Sequence, residues 1–145
     1  MEKKYPRAGV GVMVVRDNKV LLGRRHDDAE KADSELHGEG TWTMPGGKLE
    51  WHKTFAQGAT DELTEETSLI PKNLKIISVT DEIIPDKHFV TAGFLCTEFE
   101  GEPQVMEPDE IIKWEWFAFS ELPKNIFPAS LKIIKNFFAN EIYKH

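Results

Sequence analysis

Between Phe55 and Thr67 apolar and acidic positions recur with a helical period. Phe55, Ala59 and Leu63 form one apolar stripe able to dock onto a sheet. Glu62, Glu65 and Glu66 stand at i, i+3 and i+4, so their carboxylates share a different face. Thr54 is placed to cap the helix start, and Pro71 closes the helical region. The flanking pattern is extended. Ala8 to Val15 reads as a strand buried on both faces, Asp17-Asn18 as a turn, and Lys19 to Arg25 as the returning arm of a hairpin. Gly9 and Gly11 alternate with Val10 and Val12, which leaves one face open to a ligand or to a bulky neighbour.

Further along, His26 to Gly40 is a polar loop, with room for one helical turn. Its His26 and His37 read as solvated loop residues rather than metal ligands. Thr41 to Met44 is a short strand, Pro45-Gly46-Gly47 a turn, and Leu49 to Trp51 a short extended piece. Leu74 to Ile84 and Phe89 to Phe99 read as strands around a turn at Pro85-Asp86-Lys87-His88. Gly101-Glu102-Pro103 is a loop. Lys113 to Phe119 alternates Trp114 and Trp116 on one face with Phe117 and Phe119 on the other. A last helix starts at Ser130, with Leu131, Ile134, Phe138 and Ile142 on one face. The order strands, helix, strands, helix predicts an α/β fold, a mixed β-sheet between helices that buries both helix stripes. With no repeat, low-complexity tract or linker, residues 1–145 read as a single domain.

Composition narrows the function. A net charge of −7 argues against non-specific binding to duplex nucleic acid, which needs a basic surface. An acidic protein still binds an anionic nucleotide when metal supplies the positive charge. The one cysteine, Cys96, sits in an apolar run and reads as a buried core thiol. No stretch has the length of a signal peptide or a membrane span, so the expectation is a soluble, cytoplasmic protein without membrane association.

The candidate chemistry lies on the acidic helix. Glu62 and Glu66 repel each other by roughly a few tenths of a kcal/mol if exposed, and a divalent cation turns that cost into binding. Carboxylate ligands alone suit Mg²⁺ or Mn²⁺ rather than zinc. By itself such a run also describes a solvated acidic face. Gly46 and Gly47 just upstream let backbone approach a phosphate or metal closely.

The stretch Gly46-Gly47-Lys48-Leu49-Glu50 through Asp61-Glu62-Leu63-Thr64-Glu65-Glu66-Thr67-Ser68-Leu69 resembles the Nudix box of the MutT-type Nudix hydrolases. Gly47, Glu62, Leu63, Glu65, Glu66 and Leu69 fall on its pattern with no gap. Lys53 stands where the family has Glu, Asp61 where it has Arg, Ser68 where it has Gly, and His52 at a common Gly. The segments from Thr41 to Glu50, Glu107-Pro108-Asp109-Glu110, Trp114-Glu115-Trp116 and Glu121-Leu122-Pro123 are similar to the branch of nucleotide-pool phosphatases. The resemblance implies a Nudix-type α/β/α sandwich from Ala8 to about Leu131. It implies hydrolysis of a phosphoanhydride by water, with metal ions neutralising the diphosphate oxygens and lowering the pKa of the water.

By this resemblance Gly47 supplies a carbonyl to the metal, Glu62, Glu66 and then Glu65 are metal ligands and catalytic residues, and Glu107 is a further ligand. One glutamate takes the proton of the water. Arg24 or Arg25 clamps a phosphate or makes a rim salt bridge. Phe127 stacks on a base or packs in the core. The family's Arg helps hold a catalytic glutamate; here a Lys53–Asp61 ion pair can replace its Glu–Arg pair with the charges exchanged. The expected substrate is a nucleoside triphosphate, cleaved to monophosphate and pyrophosphate. The alternatives are ADP-ribose or another sugar nucleotide, with Pro85 as a light pointer, and a non-catalytic Nudix domain that binds a nucleotide or a protein partner. An unrelated acidic-helix domain is the third class. A homodimer is common in the family, and nothing in the chain decides it.

Overall fold

The computed structural model describes residues 4–31 and 37–144; the centre of the 26–40 loop lies outside them. The strands are β1 (Arg7–Arg16), β2 (Lys19–Arg25), β3 (Trp42–Thr43), β4 (Gly46–Lys48), β5 (Ile70–Pro71), β6 (Lys75–Ile84), β7 (Lys87–Cys96), β8 (Phe99–Glu100) and β9 (Ile111–Ala118). The helices are α1 (Phe55–Thr67) and α2 (Pro128–Ala139), with a 3₁₀ turn at Phe119–Glu121 between β9 and α2. The main sheet runs β3-β2-β1-β7-β6, with β4 added to β1 and β9 to β2; β5 and β8 form a separate pair. β1 is parallel to β7 and antiparallel to β2 and β4, so the sheet is mixed.

β1 feeds two cores because successive side chains point to opposite faces. Val10, Val12 and Val14 pack with Ala59, Leu63 and Leu69 on the α1 side. Met13 packs with Ile133 and Ile134 on the α2 side. The result is the expected α/β/α sandwich. Trp114 and Trp116 of β9 join the first cluster, and Phe117 of β9 and Phe119 of the following 3₁₀ turn the second. Gly11 belongs to the neighbour and not to open space, since a Cβ there would sit 2.9 Å from Ile133 Cδ1. Cys96 is buried, and burial pushes its thiol pKa up.

Helix α1 has the predicted bounds for local reasons. Thr54 Oγ1 accepts from the Gln57 N–H at 3.1 Å and Gln57 Oε1 accepts from the Thr54 N–H at 2.9 Å, a reciprocal capping box. The stop comes earlier than Pro71. Ser68 takes left-handed geometry at φ 68° and its N–H bonds Thr64 O, while Ile70–Pro71 is already strand β5. A left-handed L-residue costs about 1–2 kcal/mol, partly offset by the unfolded-state entropy that serine saves relative to glycine. Ser68→Gly is therefore expected to raise the urea unfolding free energy by about 0.5–1 kcal/mol. An unchanged or lowered midpoint would contradict the account.

Other expectations are corrected. The glycine pair is not a turn but strand β4, with Val10 opposite Gly47 and Gly11 opposite Gly46. Leu49 to Trp51 is no strand; it leads into a turn that places His52 at φ 65°. The β6–β7 turn is two residues, Pro85-Asp86. The strand expected to run on to Phe99 breaks after Cys96, and Phe99 belongs to β8. Phe55 is 40% exposed, so the α1 stripe is carried by Gly58, Ala59, Leu63 and Thr67. Helix α2 begins at Pro128, and its core side is Ala129, Ile133 and Ile134. Phe138 is 60% exposed, and Ile142 lies beyond the helix. The notches at Gly11 and Gly93, which Ile133 fills, decide that rotation.

Candidate active site

The close pairing of β4 with β1 builds the floor of the site. A Cβ on Gly46 would collide with the Val10 carbonyl, and one on Gly47 would lie 2.8 Å from the Glu62 carboxylate. Gly46 therefore requires glycine on steric grounds, whereas a side chain at Gly47 would displace the Glu62 carboxylate. Helix α1 packs across this floor and turns its acidic face inward. Glu62, Glu65 and Glu66, together with Gly46 and Gly47, line a cavity of about 390 Å³. The acidic face is thus not directed into bulk solvent.

The two inner glutamates are poorly solvated. Burial pushes the Glu62 pKa up to about 7; a hydrogen bond with Glu66 opposes this, and the charges of Glu65, Glu107 and Glu50 add to it. Glu66 is held well above the ordinary carboxyl range, first by burial and then by the Glu62 and Glu107 charges, against a Gly46 N–H that donates to it at 3.4 Å. The two carboxyl groups are hydrogen-bonded to each other. Both Glu65 and Glu66 also lie in the last turn of α1, where the helix dipole disfavours negative charge. Each of these costs is relieved by a bound cation, and the oxygen-only donors fit a hard divalent one. Among the described residues no three acidic, histidine or cysteine side chains stand in a coordination cluster. The half-buried pair is joined in the same cavity by the exposed Glu65 and Glu107.

The remaining candidates separate. Glu107 lines the cavity, its pKa raised by burial and by Glu110 and Glu65. Arg25 and Phe127 line it too, the guanidinium 5.9 Å from the ring centroid. Arg24, on the opposite face of β2, is not among the lining residues and forms an ion pair with Asp27 at 2.9 Å. Pro85 is exposed at its hairpin tip and does not line the cavity. Glu110, Lys48, Phe89, Thr91 and Ser130 are lining residues that sequence reasoning missed. Glu110 had a signal, one acidic loop turn after Glu107. Thr91 and Phe89 had none beyond a strand pattern.

The departures from the box form a contact of their own. Lys53 Nζ makes an ion pair with Asp61 Oδ2, and Glu50 approaches the same ammonium at 3.6 Å. The pair joins the loop before α1 to its middle turn. The hydrogen bond to Asp61 raises the Lys53 pKa.

Fold and cavity together define an α/β/α sandwich whose acidic, oxygen-lined pocket suits cation-assisted hydrolysis of an anionic substrate. The comparisons with known proteins agree. Residues 5–137 match the NUDIX domain family. An ADP-ribose pyrophosphatase of Methanocaldococcus jannaschii is 30% identical over 135 residues, 92% of this chain and 73% of its own length. An RNA pyrophosphohydrolase of Zymomonas mobilis subsp. mobilis is 29% identical, covering 97% of this chain and 99% of that one. A MutT NUDIX hydrolase crystal structure from Burkholderia pseudomallei superposes with a TM-score of 0.82 at 30% identity, covering 92% of this chain and 98% of that one. The chain belongs to the NUDIX family and is by class a pyrophosphohydrolase; hydrolases of this family generally use divalent metals.

Proposed function

We propose that this chain, acting as one Nudix domain, is a Mg²⁺- or Mn²⁺-dependent hydrolase of nucleoside triphosphates, releasing the monophosphate and pyrophosphate. The observation that carries the reading is the charge of the cavity. Five carboxylates line it (Glu62, Glu65, Glu66, Glu107 and Glu110) against two cationic side chains, Arg25 and Lys48. A polyphosphate is repelled from such a pocket unless divalent cations enter with it.

Glu62 and Glu66 hold the cation, aided by the Gly47 carbonyl, with Glu65 and Glu107 completing the donor set. When bound, the cation supplies positive charge to the diphosphate oxygens and acidifies the attacking water. One glutamate of this set takes the proton of that water. The paired β4–β1 backbone forms the cavity floor against which the phosphates lie. Arg25 sets a phosphate-matching fork at the rim. Phe127 offers a ring edge to a base beside it.

A volume of about 390 Å³ is at the small end of the roughly 300–1,000 Å³ usual for ligand pockets. ADP-ribose is the second reading, supported by the Methanocaldococcus relative. The test is release of pyrophosphate or phosphate from a panel of nucleoside triphosphates, ADP-ribose and sugar nucleotides, with Mg²⁺ and with Mn²⁺. The reading expects cation-dependent turnover highest on a triphosphate. Preference for ADP-ribose selects the second reading, and no turnover on any member favours a binding domain.

A further inference from the structure

Glu82 is a buried carboxylate that the hydrolytic reading leaves without a task. It is 5% exposed on β6, on the face covered by α2. Thr80 Oγ1 donates to its Oε1 at 2.7 Å, and Thr91 Oγ1 donates to its Oε2 at 2.6 Å. Lys132 Nζ of α2 stands 3.8 Å from Oε1. The register explains the cluster: Thr80 pairs with Thr91, Glu82 with Phe89, and Gly9 of β1 with Thr91. Glu82 itself is not a cavity residue, but Thr91 and Phe89 are. Thr91 Oγ1 lies 3.7 Å from where Gly9 would carry a Cβ, and both residues line the cavity.

A hydroxyl has one hydrogen and two lone pairs, and an ionised carboxylate only accepts. Glu82 engages the hydrogen of Thr91, which leaves lone pairs for the cavity. We propose that Thr91 is a specificity-determining residue, fixed as a hydrogen-bond acceptor by Glu82, and that the substrate presents a neutral N–H or O–H donor of its nucleoside half there. A phosphate or carbonyl oxygen at that point meets only lone pairs and is disfavoured. Glu82 is a positioning residue that acts through Thr91. The inference rests on the reading of this cavity as a nucleotide site.

The donor has two chemical sources, an exocyclic amino group of the base or a sugar hydroxyl. The experiment takes the triphosphate turned over best and compares it with analogues lacking the amino group, the 2′-hydroxyl or the 3′-hydroxyl. In the parent enzyme one of these deletions is expected to lower kcat/KM by roughly threefold to tenfold, and which one identifies the source. Thr91→Ser keeps the penalty. Thr91→Val, which keeps shape and strand propensity, abolishes it.

Glu82→Gln abolishes the penalty by a different route. The amide keeps its oxygen toward Thr80 and Lys132 and turns its NH₂ to Thr91. The Thr91 hydroxyl is then free to donate into the cavity. A merely structural role for Glu82 would lower turnover on parent and analogue alike. Equal penalties in the parent, Thr91→Val and Glu82→Gln enzymes, or no penalty in the parent, overturn the inference while the nucleotide reading stands. No turnover on any nucleotide with Mg²⁺ or Mn²⁺ overturns that reading and takes the inference with it. Should Thr91→Val fail to fold, the Glu82→Gln arm decides alone.

Discussion

Glu66→Gln is expected to fold at least as stably as the parent without metal, and to lose about 100-fold or more of cation-dependent activity. The first half follows from the hydrogen bond between Glu62 and Glu66 and from the raised pKa of both. Without a cation, burial and the nearby charges of Glu62 and Glu107 favour the neutral form of Glu66. The glutamine amide mimics that form. Its NH₂ donates to Glu62, and its oxygen accepts from the Gly46 N–H as Glu66 Oε2 does. No buried group is left unpaired, so the usual penalty of about 1–3 kcal/mol for an orphaned partner does not arise.

The second half follows because an amide cannot supply the negative charge that draws a hard cation. Thermal unfolding with and without Mg²⁺ or Mn²⁺ separates the two halves. In the parent a cation at 100 times its Kd adds about 2.7 kcal/mol of stability, and in Glu66→Gln that increment is expected to vanish. A variant that still gains stability from the cation and still turns over would remove Glu66 from the site. A variant that unfolds readily in chelator would show that its carboxyl has a packing role that the amide cannot meet.

The second large effect concerns Lys53 and Asp61. Lys53→Glu sets a third carboxylate beside Asp61 and Glu50, and Asp61→Arg sets two cations together. Each single change is expected to lower kcat/KM by about tenfold, the lower end of what is lost when a supporting partner of a metal site is removed. The route is mechanical. Asp61 precedes Glu62 on α1, so repulsion at the Lys53 contact tilts the turn that aims the half-buried Glu62 carboxylate at Gly47. Lys53→Glu/Asp61→Arg restores an attractive pair and is expected to recover most of the activity, with Glu50 free to swing into solvent. A double-mutant cycle on kcat/KM measures the coupling. Single variants with parental kinetics would make the pair a surface ornament, and a double variant no better than the singles would break the link between the pair and the site.

Much of the candidate site was legible in the chain because its signals are local. The i, i+3, i+4 spacing of Glu62, Glu65 and Glu66 fixes one face of a helix wherever that helix lies. Thr54 and Gln57 fix where it starts. Lys53 and Asp61, opposite in charge and on adjoining segments, foretold an ion pair that the structure contains. The alternation along β9 foretold which aromatics enter which core.

What spacing could not decide is anything set by approach across the chain. Helix α2 offers apolar residues on more than one side, and the notches at Gly11 and Gly93, far apart in sequence but paired on β1 and β7, choose Ile133 over Phe138. Arg24 and Arg25 are indistinguishable in sequence, and only their placement on opposite faces of β2 puts one in the cavity and the other on Asp27. Glu82 and Thr91 read as ordinary strand residues until pairing brings them to 2.6 Å. The chain by itself determined the acidic helix face and the glycine pair that faces it, because those rest on short-range geometry. The tertiary structure alone decided how dry that face is, and so how strongly it calls for a cation, because desolvation depends on everything packed around a carboxylate and not on its neighbours in sequence.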